Sequence, residues 1–177
     1  RSVDFGRFQV VALPGGGLPF SVIARPIDER TAGEVLPLRR SNPDAAPPGT
    51  VPGWITEAAH DLRGFDIGST FDLPLGGRTV SVSVQGVWRD YERPGGAVVI
   101  PRDVFVRETG DTRATTAALW LEDGANADEV SGRIRSSLQR GGSYEIAMPR
   151  EIRRLSLRVF DRTFAVTYLL EAVAVLI

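Results

Sequence analysis

The side chains that could perform chemistry are few, and no catalytic motif groups them. The chain of 177 residues contains no cysteine, no lysine and a single histidine, His60. This composition excludes a thiol nucleophile, a disulfide framework, a Schiff-base lysine and a zinc site built from thiolates or several imidazoles. Ser, Asp and Glu do not occur in a G-x-S-x-G, HExxH or Asp-rich calcium-loop pattern. The sequence therefore predicts no catalytic residue, no cofactor and no metal site.

The individual candidates are better explained by structural roles. His60 lies on the polar side of a predicted helix, so we expect an exposed imidazole without an orienting partner. Asp111, Asp123 and Asp128 lie in loops and at a helix start, where acidic residues usually act as caps. The alternative to these structural roles is that the chain is an enzyme, namely a membrane-tethered hydrolase. Turnover of a generic ester, phosphate or peptide substrate, lost on mutation of one carboxylate, would favour it.

Composition and charge describe a globular chain without an affinity for nucleic acid. Apolar residues make up 42% of the sequence, enough for a buried core in one domain or two small lobes. The net charge is −1. Phosphate binding needs a concentrated cationic surface, so nucleic acid is not an expected partner.

The stretch around Gly76-Gly77 predicts a β-hairpin. Two runs of alternating apolar and polar residues flank the two glycines, which suit a tight primed turn. If Leu75 pairs with Arg78, one face of the hairpin becomes apolar and the other polar, and a one-residue slip would invert the buried face. The apolar face would consist of Phe71, Leu73, Val80, Val82 and Val84.

Turn signals and periodicity divide the remaining chain into further strands and helices. The predicted strands are 8–13, 20–27, 51–55, 97–100, 115–121 and 144–148, and the predicted helices are 56–63, 101–107 and 123–142. The helix 56–63 is expected to be capped by Thr56, to end at Gly64 and to bury Ile55, Ala58, Ala59 and Leu62. Asn126 and Glu129 resemble a capping box in the helix 123–142. The polar, proline-rich segment 28–50 is predicted as a long surface loop. The residues 115–121, 123–142 and 144–148 would form a βαβ-like unit.

The end of the sequence changes character along its length. A helix beginning at Pro149 is amphipathic at first, but residues 164–177 are apolar on all faces. That run spans ~21 Å as a helix, against a hydrocarbon thickness of ~30 Å. It is either a truncated membrane span or a buried core helix. The prediction is an α+β domain over 1–163, with the start of a truncated transmembrane helix over 164–177.

The expected fold class is therefore α+β. It consists of a mixed sheet of β-hairpins and a βαβ-like unit, with helices packed on it, ending in a helix that leads into a membrane span.

The order and spacing of several motifs resemble a known family. These are Asp66-Ile-Gly-Ser-Thr-Phe, the Gly-Gly turn, Val80-Ser-Val-Ser-Val-Gln-Gly-Val-Trp-Arg-Asp, Val98-Val-Ile-Pro-Arg-Asp and Leu121-Glu-Asp-Gly-Ala-Asn-Ala-Asp-Glu-Val. Together they resemble the extracytoplasmic (periplasmic) domain of FtsX-like, MacB-type ABC transporter permeases. Val159-Phe-Asp-Arg-Thr-Phe-Ala-Val-Thr-Tyr-Leu-Leu-Glu is similar to the exit from the second such domain in large two-domain permeases. The resemblance covers roughly residues 51–177.

The resemblance implies a domain that transmits motion and performs no catalysis. A separate cytoplasmic ATPase subunit would hydrolyse ATP, and membrane helices would carry its closure to the periplasmic side of the inner membrane, a mode termed mechanotransmission. The expected partners are this ATPase, the membrane and a second permease domain, either in a homodimer or in tandem. The cargo would be a lipid, lipoprotein, peptide or hydrophobic small molecule. The candidate coupling helix contains Ile152, Leu155, Val159, Phe160 and Phe164.

A passive extracytoplasmic scaffold is a second alternative. Trp54, Trp88 and Trp120 could anchor a partner interface, although tryptophans in predicted strands are more often core residues. Copurification with an ATPase that requires the chain would favour the transporter over the scaffold.

Overall fold

The computed structural model describes residues 2–138 and 145–146. The chain divides into two compact units at residue 122, and each unit is described by itself. The strands of the first unit are β1 Ser2–Val11, β2 Phe20–Arg25, β3 Leu38–Ser41, β4 Val51–Thr56, β5 Thr70–Leu75, β6 Arg78–Trp88, β7 Ala97–Pro101 and β8 Thr116–Trp120. Its helices are α1 Ala32–Val35, α2 Glu57–Arg63 and α3 Arg102–Thr109, and the second unit contributes α4 Ala127–Leu138.

A mixed sheet organises the first unit. Its strand order is β3-β6-β4-β7-β2-β1-β8, and β5 pairs with the first half of β6. The β4–β6 and β2–β7 pairs are parallel, whereas the remaining pairs are antiparallel. The predicted α+β class with a mixed sheet is confirmed.

The Gly76-Gly77 hairpin forms in the predicted register. Leu75 pairs with Arg78, and Leu73 pairs with Val80. Both glycines have positive φ angles, 58° and 80°, as a primed turn requires. The predicted apolar face lies in the main core, with Leu73 fully buried.

The central strands are apolar on both faces because helices and loops cover the sheet on both sides. One core contains alternate residues of β2, β4, β6 and β7 together with residues of α2 and α3, and it includes Phe20, Val22, Ile55, Val84, Val98, Ile100 and Phe105. The opposite face carries a smaller core with α1, which includes Ala32, Leu36, Trp54, Trp88 and Val99. Residues that alternate along β4 and β7 thus enter different cores, as the two-residue period of a strand requires.

Helix α2 ends where the sequence indicated, but its buried face differs from the prediction. The Thr56 hydroxyl accepts a hydrogen bond from Ala59 N, and Gly64 adopts a left-handed conformation after the last turn. Ala59 is fully buried, whereas Leu62, predicted to be buried, is exposed. Seven residues make only two turns, so one side chain at the centre anchors the helix.

The segment 28–50 is not a structureless loop. It contains α1 and β3, and β3 pairs with the last residues of β6 through Leu38 opposite Trp88. The Asp28 carboxylate accepts hydrogen bonds from the backbone amides of Arg30 and Thr31, at 2.8 Å each, and these bonds lead the chain into α1. Both elements have only four residues, too few for a periodic apolar pattern to reveal them.

In the second unit, α4 begins after Asn126, whose side-chain oxygen accepts hydrogen bonds from the backbone amides of Asp128 and Glu129. The predicted cap at Asn126 is confirmed, but the helix begins at Ala127 and not at residue 123 as predicted. Most of the predicted strand 144–148 lies outside the described residues, and Glu145 and Ile146 have no strand assignment. The βαβ-like unit therefore stays a prediction.

Candidate functional site

The predicted coupling helix and membrane span lie outside the described residues. This holds for Ile152, Leu155, Val159, Phe160 and Phe164, and for the run 164–177. Within the part of the chain that the structure describes, no helix is both long enough and apolar enough to cross a bilayer. The coupling helix stays a prediction.

His60 has a structural contact. Its Nδ1 lies 2.9 Å from the backbone oxygen of Phe65, and the Asp66 carboxylate lies 3.5 Å from the same nitrogen. The imidazole is partly buried rather than exposed as predicted, since its side chain retains 23% of its accessible surface. It links the last turn of α2 to the segment that leads into β5.

The acidic residues are dispersed. Across residues 2–138 and 145–146, no three His, Asp or Glu side chains lie close enough together to hold a metal ion. Asp123 is exposed ahead of α4, and Asp128 lies in the first turn of that helix. Asp111, in contrast, is the centre of an ionic cluster.

A two-stranded ribbon extends from the body of the sheet. Residues 7–11 of β1 pair with β2, whereas residues 2–6 pair with β8 on the other edge of β1. The β1–β8 ribbon, defined as residues 2–6 and 116–120, therefore continues past the end of β2. Within the described residues it has no third strand beside it.

Apolar side chains on the β1–β8 ribbon are exposed. Val3 lies opposite Leu119, and Phe5 lies opposite Ala117, so all four share one face of the ribbon. Val3, Phe5 and Leu119 are 47%, 51% and 47% exposed. The same face of β1 continues through Val11, which packs against the main core. Exposed apolar side chains that lie together often mark a contact surface.

An ionic cluster holds the ribbon to the body. The Asp111 carboxylate accepts hydrogen bonds from Arg7 Nε at 3.1 Å and from Arg113 Nε and Nη2 at 2.9 and 3.0 Å. The side-chain and backbone hydrogen bonds from Arg113 hold the pKa of Asp111 far below its usual range. We call Arg7, Asp111, Arg113 and Thr115 the ribbon base.

Thr115 and Arg102 complete the attachment of the ribbon. The Thr115 hydroxyl accepts a hydrogen bond from Phe8 N at 2.8 Å, and Thr115 N donates to Gly6 O at 2.9 Å. Arg102, the first residue of α3, donates from Nη2 to Thr112 O at 2.8 Å. A chain of hydrogen bonds therefore runs from α3 through the ribbon base to β1.

Sequence reasoning missed the ribbon and the role of Asp111. The alternation in Ser2-Val3-Asp4-Phe5 was the available signal for an earlier start of β1. The pairing of Arg7 with Asp111, 104 residues apart, has no local signature. Of the three tryptophans, Trp54 and Trp88 are buried as expected, whereas Trp120 is exposed on the ribbon.

This fold occurs in the extracytoplasmic parts of transporters. The periplasmic region of MacB from Actinobacillus actinomycetemcomitans superimposes with a TM-score of 0.52 and 14% identity, over 78% of this chain and 66% of that one. The chain has the MacB-type periplasmic fold. The extracellular domain of the noncanonic ABC-type transporter YknZ from Gram-positive bacteria matches this MacB-type fold with a TM-score of 0.51 and 14% identity, over 82% of this chain and 78% of that one.

At the level of sequence, the similarity is weaker. An uncharacterized ABC transporter permease protein of Mycobacterium tuberculosis is 27% identical over 94 residues. The match covers 53% of this chain and only 11% of that permease. No protein-family model matches the chain. The predicted resemblance to MacB-type permease domains is confirmed by these neighbours.

Proposed function

We propose that the chain is the extracytoplasmic domain of an ABC transporter permease, on the periplasmic side of the inner membrane. In this role it couples ATP hydrolysis by a cytoplasmic ATPase subunit to the movement or release of a lipid, lipoprotein, peptide or hydrophobic small molecule. The observation that carries the proposal is the MacB-type fold, shared over most of the chain with two solved transporter domains.

The first unit is built to move as a rigid body. Its central strands are covered on both faces, with a separate packed core on each side of the sheet. Packed interiors resist deformation, so a force applied at one edge displaces the whole unit. This property suits mechanotransmission and requires no catalytic group in the domain.

The β1–β8 ribbon gives such a unit a point of attachment. It carries exposed apolar residues, and hydrogen bonds through the ribbon base connect it to α3. In the proposed mechanism, the ribbon contacts a neighbouring part of the transporter, such as a second permease domain, and the ribbon base passes its displacement to the body. The predicted helix with Ile152, Leu155, Val159, Phe160 and Phe164 is the proposed connection to the membrane.

Insertion of two glycines after Arg158 in the intact transporter tests the coupling. Glycines break the helical connection, so we expect ATP hydrolysis to continue while ATP-driven transport is lost. The matched control inserts two glycines between Gly16 and Gly17, in the exposed turn between β1 and β2. ATP-driven transport should continue in this control variant. Normal transport in the Arg158 variant would exclude the helix as a coupling element.

A second measurement separates a transporter from a passive scaffold. The intact protein, purified from its own cell membrane, should carry an ATPase subunit whose activity depends on it. A stable preparation without any associated ATPase would contradict the proposed function.

A further inference from the structure

The segment 28–50 encloses a pocket of about 300 Å³ on the sheet face opposite α2 and α3. The polar residues that line it are Glu29, Ser41, Asn42, Asp44, Trp54 and Gln85. A volume of this size accommodates a ligand of several heavy atoms. The pocket lies within the first unit and is separate from the β1–β8 ribbon.

A β-bulge forms the floor of the pocket. In the β4–β6 pair, Gly53 is opposite Val84 but Trp54 is opposite Gly86, so Gln85 is the extra residue of β6. A bulge of this kind re-aims a side chain, and it often occurs beside functional sites. Gln85 shares its face with Ser83, since its Nε2 donates a hydrogen bond to Ser83 Oγ at 2.9 Å.

Glycine at position 86 lets the indole of Trp54 approach the strand. A Cβ atom there would lie 3.1 Å from Trp54 Cδ1 and 2.9 Å from Arg40 O. The side chains of Trp54 and Gln85 therefore lie side by side under the segment 28–50. They are only 2% and 4% exposed.

Each of these nearly buried side chains has one polar atom without a partner. Trp54 Nε1 has no acceptor among the described residues, in contrast to Trp88 Nε1, which donates to Trp54 O. Gln85 uses Nε2, but no described residue donates to its Oε1. In the described residues, every side-chain polar atom that is sealed from solvent has a hydrogen-bond partner. Trp54 Nε1 and Gln85 Oε1 have none among these residues, so both atoms must reach solvent. The pocket that both residues line is the opening beside them.

The rim of the pocket is acidic. Glu29 accepts a hydrogen bond from Ala46 N at 2.9 Å, which holds its carboxylate in place. Asp44 supplies a second carboxylate, and its backbone amide donates to Asn42 Oδ1 at 3.2 Å. Among the described residues that line the pocket there is no Arg or His. Two carboxylates without a cation favour a positively charged ligand and repel an anionic one.

We propose that this pocket binds a protonated primary amine with a carbonyl oxygen next to the amine-bearing carbon, the arrangement found in an amino-acid amide or at the amino end of a peptide. The ammonium group donates to Gln85 Oε1 and to the carboxylates of Glu29 and Asp44. The carbonyl oxygen accepts from Trp54 Nε1. Each unpartnered atom thereby acquires a hydrogen-bond partner of opposite polarity. The proposal does not depend on the proposed transport function.

Nuclear magnetic resonance of the ¹⁵N-labelled 177-residue chain tests the site through the indole N–H signal of Trp54, assigned by its loss in Trp54→Phe. Glycinamide should shift this signal saturably. Ethylamine, which lacks the carbonyl, and acetamide, which lacks the charge, should bind several-fold more weakly. Triglycine amide distinguishes the two sources: binding equal to that of glycinamide indicates the amino end of a peptide, and weaker binding indicates a small amine.

Conservative variants test the residues. Glu29→Gln and Asp44→Asn should each weaken glycinamide binding about threefold or more, since each removes a charge and keeps a hydrogen-bond acceptor. The matched control is Glu34→Gln, an exposed residue of α1 that does not line the pocket, and it should leave the affinity unchanged. An indole signal that does not move at millimolar glycinamide, or that moves equally with acetamide, would overturn the proposal, as would equal weakening by Glu34→Gln.

Discussion

The centre of the sheet and the β1–β8 ribbon are both β structure, yet they differ in how their side chains are covered. In the centre, Leu73, Val84 and Ile100 are fully buried between strands and helices. In the ribbon, Val3, Phe5 and Leu119 retain about half of their accessible surface. A two-stranded ribbon by itself is marginally stable in water, so the ribbon depends on polar contacts at its base and the centre on packing. The tightly packed core and the exposed apolar surface therefore lie in different regions.

Replacing a leucine by alanine in each of the two regions should give the largest difference in the free energy of unfolding. Leu73→Ala leaves a cavity in the main core and should lower the free energy of unfolding by about 3 kcal/mol. Leu119→Ala, on the exposed face of the ribbon, should lower it by less than about 1 kcal/mol. Urea unfolding monitored by tryptophan fluorescence measures both. Equal losses would show that the ribbon is packed as tightly as the core, which would contradict the comparison.

Alanine substitutions in the turn of the Gly76-Gly77 hairpin should have an intermediate effect on the free energy of unfolding. Alanine at either position must adopt a left-handed conformation, at a cost of about 1–2 kcal/mol. At Gly76 the added Cβ would also lie 2.8 Å from Thr109 Cα and 2.9 Å from Glu108 O at the end of α3, whereas nothing lies within 4 Å at Gly77. Gly76→Ala should therefore be clearly less stable than Gly77→Ala in the same urea experiment. The reverse order would show that the turn does not dock against α3.

Asp111→Asn gives the smallest effect on global stability and the clearest pH dependence. Hydrogen bonds from Arg113 and the charge of Arg7 lower the pKa of the folded carboxyl group. A lowered pKa stabilises the fold above the ordinary carboxyl value of about 3.9, and this contribution is lost as the pH falls below that value. At about pH 6 the variant should unfold at a lower urea concentration than the natural chain, and the difference should shrink below about pH 4.

Two controls make the Asp111 experiment specific. Asp72→Asn, at an exposed position of β5 outside the ribbon base, is the matched control. Hydrogen exchange at the amides of Phe8 and Thr115 should accelerate in Asp111→Asn and remain unchanged in Asp72→Asn, because these amides form the hydrogen bonds of the ribbon base. Unchanged exchange in Asp111→Asn would exclude the ionic cluster as the attachment of the ribbon.

The sequence by itself determined the elements whose signals are local. The Gly76-Gly77 turn with its alternating flanks specified both the hairpin and its register, because a slip of one residue would move the apolar side chains of one strand out of the main core. Thr56 and Gly64 marked the ends of α2 through capping, which needs only neighbouring residues. The order of such elements also carried the resemblance to the MacB-type domain.

Only the tertiary structure decided the features that depend on distant residues. The segment 28–50 forms α1 and β3 because Leu36 and Leu38 pack with apolar side chains of distant strands on one face of the sheet, not because of a local pattern. The contact of Arg7 with Asp111 and the pocket at Trp54 and Gln85 join residues brought together by strand pairing and by a one-residue bulge. Hydrophobic burial and strand pairing bring together residues that are far apart in the sequence, so neighbouring residues do not reveal these contacts. The local pattern therefore predicts where a strand or helix forms, and the three-dimensional packing determines which of its side chains remain available for function.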